Sequence, residues 1–302
     1  MRKLQYYLVD VFTDRPFGGN PLAVFTDARD LSPSLMQALA KELNLSETTF
    51  VFPAKNPAHD YHVRIFTPAV ELPIAGHPTI GTAFVLAHEH RIQISEAEKT
   101  VLFEEGIGVI PVTLTSKQGH LHSIEMGQPL PTFGSQFPDR ETIAQMLSLD
   151  LAALDTTLPL EVVSCGVPFL FVAVKDLAAM RDIRFRQDVW ERVLRDFEAP
   201  HLFVFTREVE VAGSSVHSRM FAPAMGIAED PATGAASGPL GCYLVRHGRE
   251  VLDKTTWIIS EQGFEMGRPS FIQVTIEHEG KNITGVHVGG QCYFMGEGSI
   301  VQ

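Results

Sequence analysis

Four short motifs occur twice in this 302-residue chain, in the same order and at offsets of 153 to 158 residues. Phe50-Val-Phe52 returns as Phe203-Val-Phe205, and His62-x-Arg-x-Phe-x-Pro68 returns as His217-x-Arg-x-Phe-x-Pro223. Glu71-x-Pro-x-x-Gly76 returns as Glu229-x-Pro-x-x-Gly234, and Lys99-Thr100 as Lys254-Thr255. Any one match is cheap, but four in one order mark an internal repeat. The fold must therefore be something a duplicated unit of about 150 residues can build. The pattern predicts α+β architecture in two pseudo-symmetric domains, each a curled, mostly antiparallel sheet around one long central helix. Their expected bounds are 1–127 and 128–287, with the last strand, within 288–302, returning to the first domain.

Strands are expected over 4–12, 48–52, 61–66, 100–103, 108–115 and 121–125, where β-branched and aromatic residues cluster. Ser32 or Ser34 starts a helix to 43, with Met36, Leu39, Ala40 and Leu43 on one face. Gly76-His77-Pro78 opens a helix to about 88, with Pro78 in the first turn, where its missing N–H costs nothing. Ile80, Ala83, Phe84 and Ala87 form its expected buried stripe. Residues 127–131 read as a linker. Beyond it, 140–149, 189–197 and 235–245 read as helices, and 169–174, 202–205 and 288–295 as strands.

Each repeat thus carries a helix opened by a conformationally open stretch, at Gly76 and at Thr233-Gly234-Ala235-Ala236. The unpaired N–H groups of a first helical turn favour an anion. If the repeats pack around a twofold, those ends face one cleft, a usual ligand site. Groups shared by both copies, His62/His217 and Arg64/Arg219, read as structural. The differences carry the chemistry: aligned on the repeats, Glu47 stands opposite Pro200, His77 opposite Ala235, and Asp230 opposite Leu72. A symmetric frame with asymmetric titratable groups suits acid–base work, in which donor and acceptor roles differ. Glu47 needs a raised pKa to shuttle a proton near neutral pH.

Composition narrows the partners. A net charge of −12 argues against nucleic acid or an anionic membrane, so an anionic substrate must be drawn by a local site. No apolar run approaches a membrane span, and the start lacks a signal-peptide pattern, so a cytoplasmic protein is expected. Cys165, Cys242 and Cys292 are too scattered for a disulfide framework or zinc cluster. His88-x-His90 and His120-x-His122 lack a third ligand at fixed spacing, so no metal site is expected. The glycine-rich 15–21 loop lacks the Lys-Ser/Thr ending of a phosphate loop and is expected to line the cleft, with Asn20 among its substrate-binding residues.

Several stretches together resemble the PhzF (phenazine-biosynthesis-like) family. They are Asp10-Val-Phe-Thr-Asp-x-Pro-Phe-x-Gly-Asn-Pro21, Leu45-Ser-Glu-Thr-Thr-Phe50, Arg64-Ile-Phe-Thr-Pro68, Glu71-Leu-Pro-x-Ala-Gly-His-Pro78 and Glu229-Asp-Pro-Ala-Thr-Gly234. The resemblance covers essentially the whole chain. It implies the diaminopimelate-epimerase-like fold, an isomerase that works without metal or organic cofactor, and homodimerisation. It also implies catalytic roles for Glu47, His77 and Asp230, with Gly76, Pro78, Thr233, Gly234 and Ala235 at the substrate. The family's founding activity isomerises trans-2,3-dihydro-3-hydroxyanthranilate. Its serine after Thr-Gly is replaced here by Ala235, so that substrate does not carry over directly. Racemases of similar fold place a thiol before each helix-opening glycine, where this chain has Ala75 and Thr233, so two-thiol chemistry is not expected. The rival outside enzymology is a binding or regulatory protein with the same cleft and no turnover.

Overall fold

The computed structural model describes residues 3–248 and 254–302. The chain is α+β, with far more strand than helix. It forms two compact units, Met1–Gly127 with Val288–Gln302, and Gln128–His287.

The first unit contains β1 (Lys3–Val11), β2 (Asn20–Phe25), α1 (Pro33–Leu43), β3 (Glu47–Pro53), β4 (Tyr61–Phe66) and β5 (Glu71–Leu72). It continues through α2 (His77–His88), β6 (Glu98–Glu105), β7 (Gly108–Lys117) and β8 (His120–Gly127), and closes with β18 (Cys292–Val301) from the end of the chain. β18 lies antiparallel to β1 from Lys3↔Val301 to Val11↔Cys292. Ser32 caps α1 by accepting the Leu35 N–H at 3.2 Å, Pro33 starts it, and Asn44 ends it in the left-handed conformation. Met36, Leu39 and Ala40 carry its buried face into a cluster with Phe25, Phe50 and Phe66.

α2 departs from the expected stripe. His77 to Ala83, Val85 and Leu86 are all buried, whereas Phe84 and Ala87 are only partly so. The helix touches β1, β2, β3, β7, β8 and β18, and strands on so many sides leave no polar face.

The second unit contains β9 (Thr132–Gln136), α3 (Arg140–Leu147), β10 (Glu161–Ser164), β11 (Pro168–Ala173), α4 (Leu177–Asp182) and α5 (Gln187–Val193). Then follow β12 (His201–Thr206), β13 (Val216–Ala222), β14 (Ile227–Asp230), α6 (Gly234–His247), β15 (Thr255–Gln262), β16 (Ser270–Glu279) and β17 (Asn282–Gly290), whose last three residues already count with the first unit. β2 and α4 were not anticipated, and the expected 288–295 strand is two, β17 and β18, broken at Gln291. α3 stops at Leu147 because Ser148 turns left-handed, and α5 lies earlier than the expected 189–197.

The strand pairings of the two units follow one pattern. β2 runs parallel to β3, β3 antiparallel to β4, and β4 parallel to β6, with β5 on β4. β11, β12, β13, β15 and β14 repeat these relations in the same order. Register corrects one correspondence. Phe50 faces Arg64, and Val204 faces Arg219. Phe50 and Phe66 share one core cluster, as do Val204 and Phe221. Phe50 therefore matches Val204, and the counterpart of Glu47 is His201 instead of Pro200. The repeated Phe-Val-Phe is one residue out of step because core position, not residue identity, sets which face a strand residue takes. No helix among the described residues is long and apolar enough to cross a membrane.

Candidate functional site

In the first unit, three expected residues converge at element starts. Asn20 opens β2, Glu47 opens β3 opposite Leu22, two residues further along β2, and His77 opens α2. All three are buried, at 0%, 4% and 4% exposure. The Asn20 amide Nδ2 donates to His77 Nδ1 at 3.2 Å, which leaves the imidazole proton on Nε2. His77 Nε2 lies 3.1 Å from Glu47 Oε2. That separation is within hydrogen-bonding reach, but the two groups are not aligned as a hydrogen bond, and both atoms are buried without one.

The loop before Asn20 is braced for that placement. Phe12 and Phe17 both have positive φ, at 68° and 65°. Asp10 Oδ2 accepts the Phe17 N–H at 2.9 Å. Two non-glycine residues in this conformation within one loop are costly, a pattern that clusters at functional sites. Gly76 precedes His77 as the N-cap of α2 without a side-chain cap, and its N–H is accepted by Thr79 Oγ1 at 3.2 Å. Pro78 occupies the first turn, as expected.

In the second unit, Asp230 ends β14 and Thr233 is the N-cap of α6. Thr233 Oγ1 donates to Asp230 Oδ2 at 2.5 Å. Gln262, at the end of β15, was not anticipated. Its Nε2 donates to the Asp230 carbonyl at 2.7 Å and to Thr233 Oγ1 at 3.0 Å, and its Oε1 accepts the Thr233 N–H at 3.0 Å. The next residue, Gly263, takes φ +79°, and a Cβ there would stand 2.5 Å from the Pro231 carbonyl oxygen. Only glycine lets that turn close on the Asp230-Pro231 segment. Gly234 and Ala236 are buried, and Ala235 is half-buried, in the first turn of α6.

Shared groups behave structurally. Arg64 forks onto Glu71 at 2.7 Å through both nitrogens, and Arg219 onto Glu229 at 2.8 Å. His62 and His217 each face a glutamate on the parallel strand, Glu104 and Glu261. Cys165 and Cys242 are buried with their sulfurs 4.0 Å apart, and Cys292 is half-buried. The hydrogen bond to Cys242 and then burial push the Cys165 thiol up, and burial does the same to Cys292, so neither supplies a thiolate near neutral pH. His88 stacks on Phe294, with centroids 4.2 Å apart. Among the described residues no group of three or more His, Cys, Asp or Glu is arranged to hold a metal ion.

The profile of the phenazine biosynthesis-like protein family matches residues 9–298. The trans-2,3-dihydro-3-hydroxyanthranilate isomerase of Pseudomonas fluorescens is 38% identical, over 98% of this chain and 99% of its own. The crystal structure of a PhzF-family phenazine biosynthesis protein from Bacillus anthracis aligns with a TM-score of 0.91 at 26% identity, covering 100% of both chains. A hydroxyproline epimerase from Agrobacterium vitis aligns over 99% of this chain and 91% of its own, with a TM-score of 0.66 at 13% identity, which speaks to fold alone. A family match along nearly the whole sequence, with an isomerase related over its full length, settles the assignment: the chain belongs to the phenazine biosynthesis-like protein family and is an isomerase.

Proposed function

We propose that this isomerase moves a proton on a small, carboxylate-bearing, cyclic or unsaturated substrate by general acid–base catalysis with its own side chains. Glu47 takes a proton from a substrate carbon and returns it to another, so that the double bond migrates and no redox change occurs. His77, whose Nε2 lies 3.1 Å from Glu47 Oε2, orients or relays that proton. Asp230, steadied by Thr233 and Gln262, supplies the asymmetric second carboxylate. The N–H groups of the first turns at Gly76 and Gly234 hold the anionic end. In this reading the two units are two copies of one domain, and the enzyme works in the cytoplasm as a homodimer. Support comes from the repeated strand pattern and the family resemblance.

The observation that carries the proposal is the buried Glu47–His77 pair, close but without an aligned hydrogen bond. The counterpart of Glu47 being His201 supports it further, since the frame does not require a carboxylate there. Glu47→Gln keeps size and cannot accept and return a proton. Its expected effect is a ~10²–10⁴-fold loss in kcat, with substrate binding retained. Turnover of Glu47→Gln at the wild-type rate would remove Glu47 from the role and pass it to Asp230 or His77.

A further inference from the structure

Glu105 is a buried carboxyl that the proposed reaction does not use. It ends β6 at 7% exposure. Its Oε2 accepts from Thr79 Oγ1 at 3.0 Å, and Thr79 Oγ1 in turn accepts the Gly76 N–H at 3.2 Å. A chain of hydrogen bonds thus runs from the end of β6 to the residue that precedes His77. Glu105 Oε1 is buried without a hydrogen-bond partner.

Its counterpart explains what it is for. His62 faces Glu104 and His217 faces Glu261, so the next residues, Glu105 and Gln262, hold the same register. Gln262 ties the end of β15 to Thr233 at the start of α6. Both units therefore brace the helix start from the end of the same strand, one with a neutral amide and one with a carboxyl of the same length. A charged carboxylate with one hydrogen bond, buried among uncharged partners, is far more costly than the acid. Burial pushes the Glu105 carboxyl up to about 8, opposed only by the Thr79 hydrogen bond. Ionisable groups on the elements around it are His77 and His88 on α2, Tyr61, His62 and Arg64 on β4, Glu71 on β5, Glu98, Lys99 and Glu104 on β6 and Lys117 at the far end of β7, and none contributes to that shift.

We propose that Glu105 is a positioning residue held as the neutral acid, bracing Thr79 and the start of α2 as Gln262 braces α6, and that its ionisation weakens the hold of that helix end on an anion. The second half rests on the reading that the α2 N-terminus binds the anionic end of the substrate. Below an ordinary carboxyl value of 4.5 the acid contributes fully to stability, and that contribution is lost by the time pH passes about 8.

The test compares wild type with Glu105→Gln in the full chain. Infrared difference spectra at pH 6.5 should show a protonated-acid C=O band in wild type that Glu105→Gln lacks and that fades near pH 8. The stability of wild type relative to Glu105→Gln should fall between pH 5 and 8 and then level. Absence of that band, or parallel stability curves, overturns the neutral brace. If Glu105→Gln does not fold, Glu105→Met takes its place in both measurements. Anthranilate, measured by calorimetry, probes the anion site. Its Kd should rise about threefold to tenfold from pH 7 to 9.5 in wild type, the size of a charge effect at a helix terminus, and stay level in Glu105→Gln. Equal slopes in the two proteins overturn the link to the site. Failure of both proteins to bind anthranilate at pH 7 counts against the anion-site reading instead, and the stability curves still decide Glu105.

Discussion

Replacing His217 by Gln tests how the second unit is held together. His217 is 0% exposed on β13, with Nδ1 2.9 Å from Glu261 Oε1 and Nε2 3.0 Å from Glu265 Oε1. Both ring nitrogens face carboxylates, so both donate and the ring is an imidazolium. Burial works against that charge, but the hydrogen bonds and attraction of the two glutamates outweigh it and raise the pKa from 6.5 to about 9. At 1.36 kcal/mol per unit, this amounts to about 3 kcal/mol of stability. Because the folded value is raised, the contribution is whole below pH 6.5 and is lost as pH climbs through about 9. Urea unfolding of wild type and His217→Gln at pH 6 and pH 10 measures it. The wild-type advantage should be about 3 kcal/mol larger at pH 6 than at pH 10. An equal advantage at both would refute the imidazolium and make His217 a packing residue. His62 supplies the control with opposite sign. Burial lowers its pKa, so its neutral ring stabilises at high pH and loses that as pH falls below 6.5. His62→Gln should therefore show no acid-side loss.

Three further expectations follow from packing and chemistry. Gly81 lies mid-α2, and a Cβ there would meet Leu22 Cδ2 at 2.6 Å and Val11 Cγ2 at 2.7 Å. Gly81→Ala should cost about 1–3 kcal/mol in chemical denaturation despite alanine's better helix propensity, and a gain would show that the strands yield to the helix. Replacing Cys165, Cys242 and Cys292 together by Ala should leave kcat within about an order of magnitude. Complete loss of activity in the folded triple mutant would revive thiol catalysis. Ala235→Ser restores the hydroxyl implied by the phenazine enzyme, and a steady-state assay should show faster turnover of trans-2,3-dihydro-3-hydroxyanthranilate. No change would mean that substrate choice is made elsewhere.

Local chemistry alone placed much of the frame. Ser32-Pro33 and Asn44 bracket α1, and Gly76-His77-Pro78 opens α2, because caps and proline act within one helical turn. The repeated His-x-Arg-x-Phe strand and its Glu-x-Pro-x-x-Gly sequel were legible because a duplicated unit repeats its own spacing. Glu47, His77 and Asp230 stood out as departures from that repeat. What the sequence did not carry depends on partners distant along the chain. β2 (Asn20–Phe25) has no alternation to announce it, since it is buried between β1 and β3. The buried circumference of α2 comes from strands on every side, which no periodicity within the helix encodes. The one-residue offset that pairs Glu47 with His201 arises because sheet register follows the buried face, and that face exists only once the core has formed. Glu105 and Gln262 lie 26 and 29 residues from the threonines they brace. Only the parallel pairing of β6 with β4, and of β15 with β13, carries their side chains to the helix starts.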